Sequence, residues 1–214
     1  MNKASAPVSR HSLLVTIFLL LFCSLSAATA PKAVYAKMQS LYGGLSSFQA
    51  GVRQTNYYSQ LKKNIVYDGK IYFTPGRMLM HFTKPQIQRL QIENGKLVLF
   101  DGMSNTILKS RIQPEFGKMN PVEVLQLYWN KSKVSVTKED KATLSVSLIP
   151  NSDPMINRLS AVILKSNGLV QSLAYSDKSG NSVSYAFSGI KLNQGIPAGV
   201  WSFTYPKSAQ ILQQ

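Results

Sequence analysis

Side chains able to do covalent or acid–base chemistry are scarce in this 214-residue sequence. The only cysteine, Cys23, lies in an apolar N-terminal stretch, and the chain beyond that stretch has one histidine, His81. One imidazole and no thiol are too few for the usual transition-metal sites, and they exclude the Ser-His-Asp and Cys-His arrangements of nucleophilic catalysis. The nine acids are Asp68, Glu93, Asp101, Glu115, Glu123, Glu139, Asp140, Asp153 and Asp177. None is nominated as half of a carboxylate pair. Asp68, Asp101 and Asp177 sit in turn sequences, where aspartate is expected for local hydrogen bonding alone. No glycine-rich phosphate-cradling loop occurs. The expectation is a protein that is not an enzyme and uses no metal or cofactor.

What the sequence offers is apolar, non-covalent chemistry on one face of a hairpin. Tyr67 to Phe82 reads as a strand, a Pro75-Gly76 turn and a second strand. Proline presets φ for such a turn and glycine accepts a positive φ. With period two, Ile71 and Phe73 share a face, and Met78, Met80 and Phe82 share one on the return strand. Methionine is flexible and polarisable, so it suits a surface that accepts varied apolar partners. His81 falls on the opposite face and is expected to be solvated.

The surrounding elements must position that face. Val34, Met38, Leu41, Tyr42 and Leu45 recur at spacings of three and four, which predicts a helix over 31–45 with one apolar stripe. Strands follow by alternation, including Phe48-Ala50-Val52, Leu90-Ile92 and Leu97-Leu99, with Asn94-Gly95 as a two-residue hairpin turn. Asn120-Pro121-Val122-Glu123 is a helix start, and Val124, Leu125, Leu127, Tyr128 and Trp129 make 120–130 an apolar helix that must cover something. Strands resume to the end, with Trp201, Phe203 and Tyr205 alternating as the last. The pattern is mainly β (α+β). It predicts a large curved antiparallel sheet or open β-barrel of about 11 strands with two apolar helices against one face.

The formal net charge is +15, which points to an anionic partner surface. The basic residues are scattered, and no nucleic-acid-binding signature is present. Lys3, Arg10 and the apolar run from Leu13 to Cys23, followed by Ser26-Ala27-Ala28, read as an export leader (1–28), the run being short of the ~20 residues that span a bilayer. Residues 29–214 are then one exported domain, located in the periplasm if the cell has one. Phe22 is too large a neighbour for lipidation of Cys23 to be expected.

The order of these elements resembles the LolA family, the bacterial periplasmic carriers of outer-membrane lipoproteins. The resemblance is carried by Leu45–Ala50, by Gly69–Phe73 with Pro75-Gly76-Arg77-Met78 and Met80–Pro85, and by Glu93-Asn94-Gly95-Lys96. It continues through Leu148-Ile149-Pro150, Asp177 with Gly180-Asn181, and the tail Asn193, Ile196-Pro197 and Phe203-Thr204-Tyr205-Pro206. It implies an open barrel with a helical lid over a cavity for acyl chains. Carried over, Phe48, Ile71, Phe73, Met78, Met80, Phe82, Leu90, Ile92, Leu97 and Leu99 would line the cavity. Met38, Leu41, Leu125 and Tyr128 would belong to the lid. The implied partners are an acylated lipoprotein or other lipid, an inner-membrane lipoprotein-releasing transporter and an outer-membrane receptor, with the carrier a monomer. Better-known carriers have an arginine just before the hairpin proline that helps to latch the lid. Here that residue is Thr74, with Arg77 beyond the turn, so the latch differs or the cargo is another lipid. Met78 and Met80 replace the family's usual aromatic pair. Two other roles on the same fold are a periplasmic sensor or interaction protein without carrier activity, and an outer-membrane receptor, which would need a lipidated Cys23.

Overall fold

The computed structural model describes residues 30–112 and 122–213. The proposed leader, and the Asn120-Pro121 start of the second helix, lie outside the described residues. The first helix, α1, spans Pro31–Gly43 with proline in its first turn and Val34, Met38 and Tyr42 buried. It stops at the Gly43-Gly44 pair, two residues before the expected end, because glycine favours the non-helical exit. Six strands follow: β1 Phe48–Tyr58, β2 Lys63–Thr74, β3 Arg77–Lys84, β4 Gln88–Glu93, β5 Lys96–Asp101 and β6 Thr106–Arg111. A short helix, α2 (Glu123–Trp129), precedes β7 Ser132–Glu139, β8 Thr143–Pro150, β9 Ile156–Leu164, β10 Val170–Asp177, β11 Ser182–Leu192 and β12 Gln210–Gln213. The turns obey their residues: Gly76 has φ +81°, and Asn94 and Gly95 are both at positive φ, as a two-residue hairpin turn demands.

The strands form one open sheet in the order β12-β6-β5-β4-β3-β2-β1-β11-β10-β9-β8-β7. It is two meanders, β1–β6 and β7–β11, joined where β1 pairs with β11. All neighbours are antiparallel except β12, which runs parallel to β6. The alternation expected for Trp201, Phe203 and Tyr205 is real, but it is not a strand. Ala198–Trp201 is a 3-10 turn, the chain stays irregular to 209, and the last strand comes later. An extended segment lying on a sheet also points every second side chain inward, so alternation cannot distinguish it from a ladder-paired strand.

The two halves of the sheet are covered on opposite faces. On the concave side, α1 and α2 pack against β7 and β8 and seal Leu144, Val146, Leu148, Leu159 and Ile163. Helix α1 is held closely. A Cβ on Gly168, at φ +80°, would sit 2.3 Å from the Met38 backbone nitrogen, so only glycine admits the helix there. Lys37 Nζ donates to the Lys165 carbonyl at 2.8 Å, and the Val170 N–H donates to the Tyr42 hydroxyl at 3.2 Å. Burial, partly offset by that hydrogen bond, pushes the Tyr42 phenol up to about 12. The convex side of this half carries small residues such as Ser135, Ser147, Ser160, Ser172 and Ala174, aligned across the ladder.

On the β3–β6 half, the convex side is the sealed one. Leu79, Arg89, Phe100 and Ile107 are buried there beneath the C-terminal segment. Arg89 is 2 % exposed and donates from Nη2 to the carbonyls of Val200 (3.0 Å) and Trp201 (3.1 Å). Phe203 packs on His81, Phe100 and Tyr205 with ring centroids 5.8, 5.8 and 5.0 Å away. His81 is thus on the face expected of it but is half-buried rather than solvated. Burial, and then the Arg89 charge, push its pKa below 6.5.

Candidate ligand-binding face

Strand register builds the concave face from transverse rows. Phe48, Phe73, Met78, Ile92 and Leu97 stand opposite one another in turn across β1 to β5. Ala50, Ile71, Met80, Leu90, Leu99 and Leu108 form the next row, across β1 to β6. Gly69 faces Phe82 in a third row at a bulge, where a Cβ would meet the His81 carbonyl at 2.2 Å. All ten residues named from the sequence for this face are on it. Leu108 also belongs to it; its signal was the same alternation, cut short by the brief apolar run of β6.

Burial falls along each row. Phe48, Ile71, Phe73 and Phe82 are buried, whereas Met78, Met80, Leu90, Ile92, Leu97, Leu99 and Leu108 are half-buried. Apolar surface left in water costs roughly 25 cal/mol per Å², so two half-open rows with seven large side chains between them are a standing demand for a cover or an occupant. A groove of ≈ 430 Å³ opens at one end of the rows, lined by Tyr42, Gly43 and Leu45 after α1, Phe73, Pro75 and Gly76 at the hairpin turn, and Glu123 at the start of α2.

Of the four residues expected in the lid, Met38 and Leu125 are fully buried, and Leu41 and Tyr128 partly so. The helices are coupled by Tyr35 stacked on Trp129, centroids 4.8 Å apart and 15° from parallel. Tyr128 Oη donates to Asp153 at 2.7 Å. Burial first, then that hydrogen bond, raise the Tyr128 pKa to about 12. Thr74 and Arg77 occupy the position at which the resemblance implied a lid latch. The two residues pair with each other at the end of the hairpin, on the face opposite Phe73 and Met78. Arg77 Nε lies 3.2 Å from Glu93 Oε1, near enough for an ion pair but not aligned for a hydrogen bond. Its guanidinium stacks 4.3 Å over the Trp201 ring. Strand parity thus turns Arg77 towards the C-terminal layer and away from the helices.

Among the described residues the acids are used in structure. Asp68 pairs with Arg53 at 2.7 Å and Glu139 with Lys165 at 2.7 Å. Asp140 accepts from Thr143 Oγ1 and from the Thr143 and Ala142 amides, which hold its carboxyl down to about 2. Asp101, Asp153 and Asp177 likewise cap their own turns and have lowered pKa values. These carboxylates hold the backbone in place; what the concave face presents is apolar.

The family model "Outer membrane lipoprotein carrier protein LolA" matches residues 43–204. An outer-membrane lipoprotein carrier protein of Cupriavidus pinatubonensis is 26 % identical over 195 residues, covering 87 % of this chain and 90 % of that one. The carrier of Cupriavidus taiwanensis is 24 % identical over 213 residues, covering 96 % and 100 %. Among solved structures, an uncharacterised conserved protein of Thermus thermophilus superposes with a TM-score of 0.54 at 11 % identity, over 86 % of this chain and 98 % of its own. MucB gives a TM-score of 0.50 at 9 % identity over 81 % of this chain and 62 % of its own. These two likenesses concern the fold alone. With three quarters of its length matched by one family model and two near-full-length relatives in agreement, the chain belongs to the LolA family of outer-membrane lipoprotein carrier proteins.

Proposed function

We propose that this protein is exported with removal of residues 1–28, works in the periplasm, and carries the acyl chains of lipoproteins, or of another lipid, on its concave face. The observation that carries the reading is the pair of half-buried rows Met78-Ile92-Leu97 and Met80-Leu90-Leu99, continuous with buried Phe73 and Ile71. Each CH₂ taken from water contributes roughly 0.8 kcal/mol, so a long acyl chain is held by on the order of 10 kcal/mol against water. A bilayer buries the same chain, so transfer between carrier and membrane is nearly balanced and is steered by partners. Those partners are an inner-membrane lipoprotein-releasing transporter at loading and an outer-membrane receptor at delivery. Helix α2 forms the movable part of the lid; α1 is anchored at Gly168 and Tyr42 and serves as a fixed wall. No catalytic step is part of this role.

Native mass spectrometry of the protein purified from periplasm tests it. Wild type is expected to retain acylated species, and Met80→Glu or Leu90→Glu to lose them while remaining folded. Wild type free of any acyl ligand, but co-purifying with a membrane-bound regulator, would replace this reading with that of a sensor.

A further inference from the structure

The two ends of the sheet differ in what their turns expose. One end holds the β2–β3 turn at Pro75-Gly76, the β4–β5 turn at Asn94-Gly95 and the β9–β10 turn around Asn167-Gly168. None of the large exposed apolar side chains among the described residues is found in these turns. The other end holds the β1–β2, β3–β4, β5–β6, β8–β9 and β10–β11 connections. Here Met103 is 77 % exposed, Met155 74 % and Leu61 72 %, one on each of three loop tips.

These tips are built to project. Asp101 Oδ1 accepts from the amides of Met103 and Ser104, both at 2.9 Å. Asp153 Oδ1 accepts from Met155 and Ile156 at 2.8 and 2.6 Å. In both loops an aspartate two residues ahead of the methionine ties down its backbone and leaves the side chain in solvent. The loops also brace one another. Ser59 donates through its amide to Asn181 and through Oγ to Ser179, and the Lys178 amide donates to the Met155 carbonyl at 3.3 Å. The Gly102 amide donates to the Ile87 carbonyl at 2.8 Å. Lys62, Lys63, Lys84, Lys178 and Lys207 stand at this end and outnumber the turn-capping Asp101, Asp153 and Asp177. None of these lysines takes part in the three ion pairs found among the described residues, though Lys84 and Lys178 lie within electrostatic reach of Asp68 and Asp153.

Single apolar side chains on separate braced polar tips, with lysines in excess at the same end, do not make a contiguous patch of the kind that docks a protein partner. They match a bilayer interface, where apolar tips enter between head groups and each lysine near an anionic surface adds attraction. We propose that this end of the sheet docks reversibly on anionic lipid membranes through Leu61, Met103 and Met155. The proposal goes beyond the carrier reading and does not depend on it, since the tips lie outside the concave face.

Co-sedimentation with vesicles of phosphatidylethanolamine and phosphatidylglycerol, against vesicles of phosphatidylcholine alone, tests the proposal. Wild type is expected to bind the anionic vesicles preferentially and to release as salt is raised. The triple variant Leu61→Ser, Met103→Ser, Met155→Ser is expected to bind them at least about tenfold more weakly, with unchanged thermal unfolding because all three side chains are exposed. Lys62→Gln, Lys63→Gln and Lys178→Gln together are expected to erase the preference for anionic lipid. Met80→Glu is expected to leave vesicle binding intact while losing acyl cargo, which separates this site from the carrier face. Absence of wild-type binding, equal binding to phosphatidylcholine, or full binding by the triple variant would each overturn the proposal. So would a protein partner captured by this end in the absence of vesicle binding.

Discussion

Across β8 and β9 the concave side chains are sealed by helices while the convex side carries small residues, Ser147 buried and Ser145 and Ser160 half-buried. Across β3 to β5 the arrangement is inverted: the C-terminal aromatic segment seals the convex side, and the concave rows are half-open. A sheet needs one well-packed face to be stable. The inversion lets the β3–β5 region keep its concave face free, because Leu79, Arg89, Phe100 and Phe203 anchor it from behind. Tight packing and half-open apolar rows are thereby placed on opposite sides of the same strands.

Substitution in the two halves should separate these roles. Leu148→Ala, in the sealed half, is expected to cost about 3–4 kcal/mol in denaturant unfolding, as full burial of leucine implies. Leu90→Ala, in the open half, should cost about 1 kcal/mol or less and chiefly weaken acyl retention. Equal losses would mean that both halves are packed alike, and would end the comparison. Next in size, Arg89→Met removes two charge-assisted hydrogen bonds to backbone carbonyls, for about 2 kcal/mol. Its effect should be local, with faster amide exchange over 198–213 and none beneath α1. Tyr42→Phe leaves the Val170 amide without its acceptor in a buried place, at about 1–2 kcal/mol, and should loosen α1 without touching the C-terminal segment.

The smallest expected effect is one of pH. Burial and Arg89 hold His81 neutral in the folded state by lowering its pKa from 6.5. The unfolded chain takes up that proton first as pH falls. The stabilisation is therefore complete above 6.5 and declines below it until the folded-state pKa is passed. Amide exchange of the C-terminal segment, corrected for its intrinsic rate, should rise across that window, and His81→Gln should flatten the response. The lowered Asp101 and Asp153 act in a lower window, below the usual carboxylate range.

Much of the sealed half and both concave rows were legible in the sequence because alternation records which side of a strand is wet. The Asn94-Gly95 and Pro75-Gly76 turns were equally plain, since few residues adopt their dihedrals. The outer layer was not legible. Nothing near His81 or Arg77 in sequence announces that residues 198–205 will cover them, and charged or polar residues on an alternating strand read as solvated by default. Arg89 is the clearest case: an arginine between Gln88 and Leu90 looks like surface, and partners distant in sequence, the carbonyls of Val200 and Trp201 together with Phe203 and Tyr205, make its burial tolerable. Arg77 follows the same rule, because parity across the hairpin sends it to the side where Trp201 waits.

The seam between β1 and β11 carries a kinetic consequence. Each meander is made of neighbours in sequence and can zip up locally, whereas the seam brings together groups as far apart as Ser46 and Asn193, 147 positions along the chain. Closing so long a loop is slow compared with forming a hairpin. During synthesis the first six strands emerge well before the segment that must pair with β1. Until then β1 is an unpaired edge, and a row of exposed methionine and leucine lies beside it, open to other nascent chains. The rate at which β11 reaches β1 sets how long the young protein needs protection from aggregation.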